Sequence, residues 1–285
     1  KTILIAEHRL YYLMDIVDRI IYLEHGEIAG IYNPEEFYQL TPTQRKNMGL
    51  RAINLNDEQP LSHDNLASKP ILKLNDISLY YKKRTILEHI NLDARSGEVI
   101  AIVGHNGAGK TTFSRALCGL HKNCKGEFFW NGSLQNCKSR LKLSYMVMQD
   151  VNYELFADSV YSECSFGIKN PNQQIVEETM KRLGLLQFRD CHPNILSGGQ
   201  KQRVAVAVSM ICNKELLIFD EPTSGLDYDS MIQVADLIKE LAAMRKVIFV
   251  VTHDYEFVCH TCSRVVHFDE GEMPDDLLML KDNIP

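Results

Sequence analysis

A glycine-rich loop between an apolar strand and a helix constrains the fold of this chain more than any other feature. The loop, Gly104-His105-Asn106-Gly107-Ala108-Gly109-Lys110-Thr111, fits the pattern G-x-x-x-x-G-K-[ST]. It follows the apolar run Glu98–Val103 and opens the helical stretch Lys110–Leu120. Glycines let backbone N–H groups approach a phosphate, and the positive end of the helix dipole adds to the attraction. The sequence therefore predicts a phosphate-binding loop at the end of a strand.

The last residues of this loop have side chains suited to a bound nucleotide. Lys110 can bridge the β- and γ-phosphates, and the hydroxyl of Thr111 can ligate Mg²⁺. Thr112 follows and is expected to make a further phosphate contact.

The rest of residues 71–285 predicts an α/β fold with a mostly parallel sheet. Near-continuous apolar runs are typical of parallel strands that are covered on both faces. Such runs alternate with helical stretches: the runs are Glu98–Val103, Glu215–Asp220 and Val247–Val251, and the stretches are Lys110–Leu120, Gln174–Leu183, Gly199–Cys212 and Ser230–Ala243. Leu72–Leu79 alternates between apolar and polar residues as a strand does, and Asn131-Gly132 is typical of a tight hairpin turn.

Two further motifs carry chemistry. The apolar run Leu216–Phe219 ends in Asp220 and Glu221, which predicts a cation site and a general base. Alone, this pair could be a solvated strand end. In Leu196-Ser197-Gly198-Gly199-Gln200, the serine can cap the following helix and the glycines leave amides open to an anion. This motif alone could be only a helix cap.

With these motifs, residues 71–285 resemble the transporter ATPases of the ATP-binding-cassette (ABC) family. Leu196–Gln200 matches the family signature, and Gln149 lies 39 residues after Lys110, where the family has its Q-loop glutamine. Ser224-Gly225-Leu226-Asp227 resembles the D-loop, and His253 resembles the switch histidine. The resemblance implies a P-loop NTPase fold with a mostly parallel sheet, an antiparallel β subdomain and a helical subdomain.

The resemblance also implies a site for ATP and Mg²⁺. Two domains of this family close head to tail, so that the signature of one completes the ATP site of the other. Tyr81 matches the aromatic residue that stacks on adenine, with Tyr80 as an alternative. The implied catalytic residues are Glu221, His253 and Gln149; the ATP-binding residues are Tyr81, Gly104, Asn106, Gly107, Ala108, Gly109, Lys110, Thr111, Thr112, Ser197, Gly198, Gly199 and Gln200; the Mg²⁺ ligands are Thr111, Gln149 and Asp220.

An internal repeat indicates the domain organisation. Residues 1–28 align without gaps on residues 246–273, with identities that include His8 with His253 and Arg19 with Arg264. The offset of 245 residues is too long for a solenoid repeat and indicates two tandem copies of one large domain. We therefore expect the C-terminal remnant of a first ABC domain in residues 1–43, a linker in 44–70 and a complete second ABC domain in 71–285. The remnant would begin with the strand Ile3–Ala6. One departure is Arg9, where the second copy has an aspartate.

The repeat also bears on Cys259-His260-Thr261-Cys262, which has the spacing of metal ligands. The two cysteines align with Met14 and Val17, so we expect small buried hydrophobic residues, with a metal site as the alternative. The eight cysteines of the chain are typical of reduced thiols in a cytosolic protein.

The stretch Gln149–Val160 resembles the segment after the Q-loop in energy-coupling-factor and cobalt-type importers, where it contacts the membrane partner. The resemblance implies an importer ATPase, peripheral on the cytoplasmic face of the membrane, with transmembrane subunits and a paired ABC domain as partners. Leu155 and Phe156 are then the expected anchor; the alternative is a buried pair in a loop. The longest uncharged apolar stretch, Val204–Cys212, has nine residues, too few to span a bilayer.

The sequence also bears on two other functions. A soluble tandem ABC ATPase that acts on ribosomes or nucleic acid would need a long basic linker. Residues 44–70 carry Arg45, Arg51 and other cations against several carboxylates, and the net charge of the chain is −6, so no nucleic-acid partner is expected. A non-enzymatic scaffold would have lost Lys110, Glu221 or His253, and all three are present.

Overall fold

The computed structural model describes residues 1–55, 69–168, 170–269 and 272–278. The strands are β1 (Ile20–Glu24), β2 (Glu27–Tyr32), β3 (Leu72–Tyr81), β4 (Arg84–Ala94), β5 (Val99–Val103), β6 (Cys124–Trp130), β7 (Ser133–Leu134), β8 (Ser144–Val147), β9 (Leu216–Asp220), β10 (Val247–Val251), β11 (Arg264–Asp269) and β12 (Glu272–Leu278). The α-helices are α1 (Pro34–Tyr38), α2 (Pro42–Asn47), α3 (Lys110–Leu117), α4 (Cys137–Leu143), α5 (Val160–Cys164), α6 (Gln173–Arg182), α7 (Gly198–Ile211), α8 (Tyr228–Ala243) and α9 (Tyr255–Thr261).

The central sheet is mostly parallel, as predicted. In the described residues its strand order is β12-β11-β5-β10-β9-β8, and only β12 runs antiparallel to its neighbour. Val251 of β10 lies beside both Asp220 of β9 and Ile102 of β5. The loops that follow these three strands therefore leave the same edge of the sheet, side by side.

Layers on both faces of the sheet explain why its strands are continuous apolar runs. Successive side chains of a strand point to opposite faces. Ile100 and Ile102 of β5 pack with α3 and with the antiparallel sheet β4-β3-β6-β7. Ala101 and Val103 pack on the other face, with side chains of α6, α7 and α8. The sheet is thus covered by an antiparallel β layer with α3 on one side and by helices on the other.

The predicted hairpin is confirmed. β6 and β7 pair antiparallel, and Asn131 and Gly132 have φ values of 49° and 74°. Both values are in the left-handed region that a two-residue hairpin turn of this type requires, and Asn-Gly adopts it most readily.

The N-terminal residues reproduce part of the repeat. β1 and β2 form an antiparallel hairpin that coincides, at the offset of 245 residues, with β11 and β12; residue 271, which aligns with Gly26, lies outside the described residues. The predicted strand Ile3–Ala6 is wrong, because these residues adopt no regular structure and Leu4 is 88% exposed. The aligned strand β10 is held between β5 and β9, and residues 3–6 have no such neighbours in the described part of the chain.

Part of the predicted linker is folded. α2 begins at Pro42, with Thr41 as its N-cap in a capping box with Gln44, so the predicted boundary at residue 44 falls inside a helix. Residues 49–53 continue from it and pack on residues of the predicted second domain: the N–H of Tyr228 donates to the carbonyl of Gly49 at 3.0 Å. Residues 56–68 of the predicted linker lie outside the described residues.

The structure bears on the possible metal site at Cys259 and Cys262 and on whether any helix could span a membrane. Cys259 and Cys262 are both buried, which confirms that they are small core residues, and all eight cysteines are free thiols. Among the residues that the structure describes, no group of side chains is arranged to hold a metal ion through histidine, cysteine or carboxylates alone. No helix in that part of the chain is long and apolar enough to cross a membrane.

Candidate functional site

A cleft of about 580 Å³ opens at the edge of the central sheet where β5, β9 and β10 end. It gathers the loop before α3, the carboxylates after β9 and the residues after β10. Its lining consists of Arg9, Ile86, Asn106, Gly107, Gly109, Lys110, Thr111, Thr112, Gln149, Asp220, Glu221, Thr223, Ser224, Val251, His253 and Asp254. Residues more than a hundred positions apart in the sequence therefore meet as the motifs predicted.

The glycine-rich loop has a backbone that only glycine permits at its first position. Gly104 has a φ of 141°, and a Cβ there would lie 2.2 Å from the carbonyl oxygen of Phe268. At the other end of the loop, Gly109 is the N-cap of α3 and has no side chain to cap it. The first amides of α3 are therefore left for a ligand at the positive end of the helix. Ala108 is buried and anchors the loop to the core instead of lining the cleft.

Lys110 lies over this loop. Its Nζ donates to the carbonyls of Gly104 at 2.6 Å and His105 at 3.0 Å. Burial lowers the pKa of Lys110, and the carboxylates of Glu221 and Asp220 oppose that effect. A phosphate in the cleft could take over these hydrogen bonds from neutral carbonyls and would gain a charge-assisted interaction.

Thr111 and Asp220 meet as the sequence predicted. The Thr111 hydroxyl donates to Oδ2 of Asp220 at 3.0 Å. Burial raises the pKa of Asp220, while the hydrogen bond from Thr111 and the charge of Lys110 lower it. Together with Gln149 at the rim, they offer hydroxyl, carboxylate and amide oxygens, which are the donors that Mg²⁺ prefers. The residues present thus fit a magnesium ion bound jointly with a phosphate ligand.

Glu221 is held in an unusual backbone conformation. Its φ is 50°, in a region that residues other than glycine seldom occupy, and its N–H donates to the carbonyl of Val251 at 2.8 Å. Its Oε2 accepts a hydrogen bond from Thr252 Oγ1 at 3.2 Å, and its Oε1 lies 3.7 Å from Nε2 of His253. Such strain is typical of functional sites, where the surrounding structure fixes one side chain.

The pKa shifts of Glu221 and His253 are consistent with a carboxylate base beside an uncharged histidine. Burial raises the pKa of Glu221, and the charge of Asp220 raises it further, while the hydrogen bond from Thr252 lowers it. Burial lowers the pKa of His253, and the charges of Lys110 and Arg9 lower it further. At neutral pH His253 is therefore uncharged, and one of its ring nitrogens can accept a hydrogen bond.

Some predicted residues lie outside this cleft. Tyr81 is 62% exposed at the turn between β3 and β4, and Ile86 of β4 lines the cleft instead. Ser197 is the N-cap of α7 and forms a capping box with Gln200, which confirms its capping role. The four signature residues, Ser197, Gly198, Gly199 and Gln200, are not among the lining residues.

Sequence reasoning missed several residues of the site. Thr252 and Asp254 flank His253, so their position beside it was the available signal. Thr223 lines the cleft and donates to Oδ2 of Asp254 at 2.7 Å. Arg9 comes from the N-terminal segment, and its only signal was the alignment that places it opposite Asp254.

The segment after Gln149 is fastened by two carboxylates. The N–H of Met148 donates to Glu154, and the N–H groups of Phe156 and Ala157 both donate to Glu163 at 2.7 Å. Burial raises the pKa of Glu154 to about 8. The predicted anchor of two apolar side chains needs correction: Leu155 belongs to the core, and Phe156 is 68% exposed. The segment therefore presents one aromatic side chain and buries its neighbour.

Comparisons with known proteins agree with this geometry. The family model described as "ABC transporter" matches residues 87–224. A protein of Treponema denticola named "Putative ABC transporter ATP-binding protein" is 45% identical over 99% of this chain and 59% of its own length. A protein of the same name from Clostridium tetani is 32% identical over 96% of this chain and 69% of its own length. The chain thus spans about three fifths of the Treponema protein.

Among solved structures, cbiO1 from Clostridium perfringens, part of the ABC transporter complex cbiONQ, is similar in fold. It is 30% identical, with a TM-score of 0.66, over 73% of this chain and 88% of its own. The loop, the carboxylates after β9, the histidine after β10 and these matches lead to one conclusion: the chain belongs to the ABC transporter family, among its ATP-binding proteins.

Proposed function

We propose that this chain is the ATP-binding and ATP-hydrolysing part of an ABC importer of the energy-coupling-factor type, which powers solute uptake through membrane partner subunits. The observation that carries the proposal is the convergence of Lys110, Thr111, Asp220, Glu221 and His253 in one cleft. The similarity to cbiO1, part of the ABC transporter complex cbiONQ, supports a role in a transporter with partner subunits.

In the proposed mechanism, the loop amides and Lys110 bind the β- and γ-phosphates of ATP. Thr111, Asp220 and Gln149 would hold Mg²⁺, which neutralises phosphate charge when bound. Glu221 orients a water molecule and takes its proton as the water oxygen bonds to the γ-phosphorus. The bond between that phosphorus and the oxygen bridging to the β-phosphate breaks, and ADP and phosphate leave. His253, neutral at its depressed pKa, contacts the γ-phosphate through its N–H.

The site is proposed to be composite. The signature residues at Ser197 do not line the cleft that contains Lys110, which supports a site in which the signature acts on an ATP held by another domain. A second domain would supply the missing signature, head to tail. The hairpin β1–β2 coincides with β11–β12 at the repeat offset, which supports a tandem protein in which residues 1–43 end a first ABC domain.

A membrane partner is proposed to dock at Phe156. Its exposed ring lies in the segment fastened behind Gln149, so movement of that segment on nucleotide binding would move the docking point. Exposed aromatic side chains are enriched among the residues that anchor protein interfaces. The protein would then lie at the cytoplasmic face of the membrane, bound through its partners.

Purification in mild detergent tests the proposal. The protein, tagged and expressed in its native cells, should co-purify with polytopic membrane proteins, and ATP hydrolysis by the complex should depend on Lys110. Lys110→Ala removes the phosphate contact, and Lys122→Ala, on the exposed stretch after α3, is the matched control. Recovery with ribosomes and no membrane protein would favour the soluble tandem ATPase instead. Retention of hydrolysis in Lys110→Ala would contradict the assignment of the cleft.

A further inference from the structure

The charged residue most completely buried near the cleft is Arg51, which comes from the segment predicted as a linker. Its side chain is 1% exposed. The guanidinium donates to Oδ1 of Asp254 and, through Nε, to Oε2 of Glu256 at 2.6 Å. Both carboxylates are themselves buried, with exposures of 5% and 3%. One arginine therefore pairs with two buried acids, which lie one and three positions after the proposed switch histidine, His253.

A chain of hydrogen bonds joins this arginine to the proposed general base. The N–H of Asp254 donates to Thr252 Oγ1 at 3.0 Å, and that hydroxyl donates to Glu221 Oε2 at 3.2 Å. Asp254 also accepts from Thr223 Oγ1 at 2.7 Å, two residues after Glu221. The position of Asp254 thus fixes two threonines near Glu221. Thr252 is hydrogen-bonded to the Glu221 side chain, and Thr223 follows Glu221 by two residues in the sequence.

The segment around Arg51 is attached at further points. The carbonyl of Gly49 accepts from the N–H of Tyr228 at 3.0 Å, and Lys46 Nζ lies 5.1 Å from the centre of the Tyr228 ring. The N–H of Ala52 lies 3.3 Å from both carboxylate oxygens of Glu256. Residues 46–52 therefore hold two elements at once, the start of α8 after the D-loop and the start of α9 after His253.

We propose that Arg51 is a positioning residue for ATP hydrolysis. It fixes Asp254, and through Thr252 and Thr223 it holds Glu221 in its left-handed conformation, directed at the cleft. The inference rests on the proposed ATPase function. The stretch that contains residues 46–52 would then influence catalysis, because a shift of these residues would move Asp254 and Thr252 and so change the position of the Glu221 carboxylate.

Arginine is required here for its shape as well as its charge. Its planar fork can meet two carboxylates at once, whereas an ammonium group is a single point charge. Arg51→Lys keeps the positive charge between Asp254 and Glu256 but cannot span both. A small misplacement of a catalytic group strongly lowers the rate of reaction, so we expect Arg51→Lys to lower turnover about 10- to 100-fold. The Michaelis constant for ATP should stay within about twofold, because none of the residues assigned to bind phosphate contacts Arg51.

The test compares Arg51→Lys with Arg45→Lys in the whole chain. Arg45 is also buried in this segment, but its guanidinium donates to the carbonyl of Leu40, and in the described residues it forms no hydrogen bond or ion pair with Asp254 or Glu256. Turnover is measured per nucleotide-bound site, with sites counted by titration with a fluorescent ATP analogue. Hydrogen exchange is measured over residues 221–228 and 252–257, with α6 as the internal reference.

We expect slower turnover and faster exchange in these two segments for Arg51→Lys only. Normal turnover per site in Arg51→Lys would overturn the proposal, even if the melting temperature fell, because that result marks a structural role alone. Equal effects of both substitutions would also overturn it. If the unmodified chain binds ATP but hydrolyses none at any protein concentration, the proposed ATPase function fails. The exchange data then decide by themselves whether Arg51 orders the Glu221 loop.

Discussion

Replacing Glu221 by glutamine separates the chemistry of this carboxylate from its structural role. Glutamine has nearly the same shape, and its amide oxygen can still accept the hydrogen bond that Thr252 donates at 3.2 Å. Only the charge and the proton-accepting capacity are lost. Loss of a positioned general base costs about 10²- to 10⁴-fold in rate, or about 3 to 5 kcal/mol in the activation barrier.

Binding and stability should respond in the opposite direction. Glu221 and Asp220 place two adjacent carboxylates in the cleft, so removal of one negative charge should leave ATP affinity unchanged or increase it. Burial raises the pKa of Glu221, and its ionised form therefore costs the folded state stability as the pH rises through the ordinary carboxyl range. The melting temperature of Glu221→Gln at pH 7 should equal or exceed that of the unmodified protein.

The assay is single-turnover phosphate release, with ATP binding measured on the same samples. Glu240→Gln is the control, since Glu240 pairs with Arg182 on the exposed side of α8. The rate of the unmodified protein should fall as the pH drops toward the raised pKa of Glu221, and Glu221→Gln should lose that dependence. An unchanged rate in Glu221→Gln would show that another group activates the water. Lost hydrolysis together with lost ATP binding would show that the substitution had damaged the cleft.

Three more predictions follow from other parts of the molecule. Phe156→Ala should weaken assembly with membrane partners and leave ATP affinity unchanged. Leu134→Ala, which also removes an exposed apolar side chain, should change neither assembly nor ATP affinity. Normal assembly in Phe156→Ala would exclude the docking role. Glu154→Gln should stabilise the protein by up to about 5 kcal/mol at pH 8.5 and leave it nearly unchanged near pH 4.5, because stability falls between the ordinary pKa of 4.5 and the raised value of about 8. A difference in urea midpoint between variant and unmodified protein that does not grow from pH 4.5 to pH 8.5 would contradict this. The specific ATPase activity of residues 1–285 should fall on dilution, since two chains must pair to complete a composite site, and activity independent of dilution would show that one chain completes the site.

Much of the second copy could be predicted because its signals are local or strictly periodic. β5, β9 and β10 are continuous apolar runs, and each is buried along its whole length. The turn at Asn131-Gly132 and the capping box at Ser197 depend on residues within a few positions of one another. The meeting of Thr111 with Asp220 followed from the rule that parallel strands end at one edge.

Other features could not be predicted because they depend on contacts between distant residues. The polar stretch after residue 44 has the composition of a linker, yet Arg51 is buried there because two acids more than 200 positions away surround it. Ile3–Ala6 has the apolar pattern of a strand, but a parallel strand forms only beside its neighbours. Leu155 and Phe156 have equivalent hydrophobicity, and only the packing of the core distinguishes the buried one from the exposed one.

The two copies of the repeat differ at the residue that follows the histidine, and the difference has a structural consequence. Asp254 caps α9 by accepting from the N–H of Phe257 at 3.2 Å, and it accepts from Arg51 and Thr223 as well. Arg9 aligns with it, and a guanidinium only donates, so it can take over none of these bonds. Residues 11–16, which align with α9, accordingly form turns and not a helix. The hydrogen bonds that Asp254 accepts beside His253 therefore cannot be accepted by the residue that follows His8.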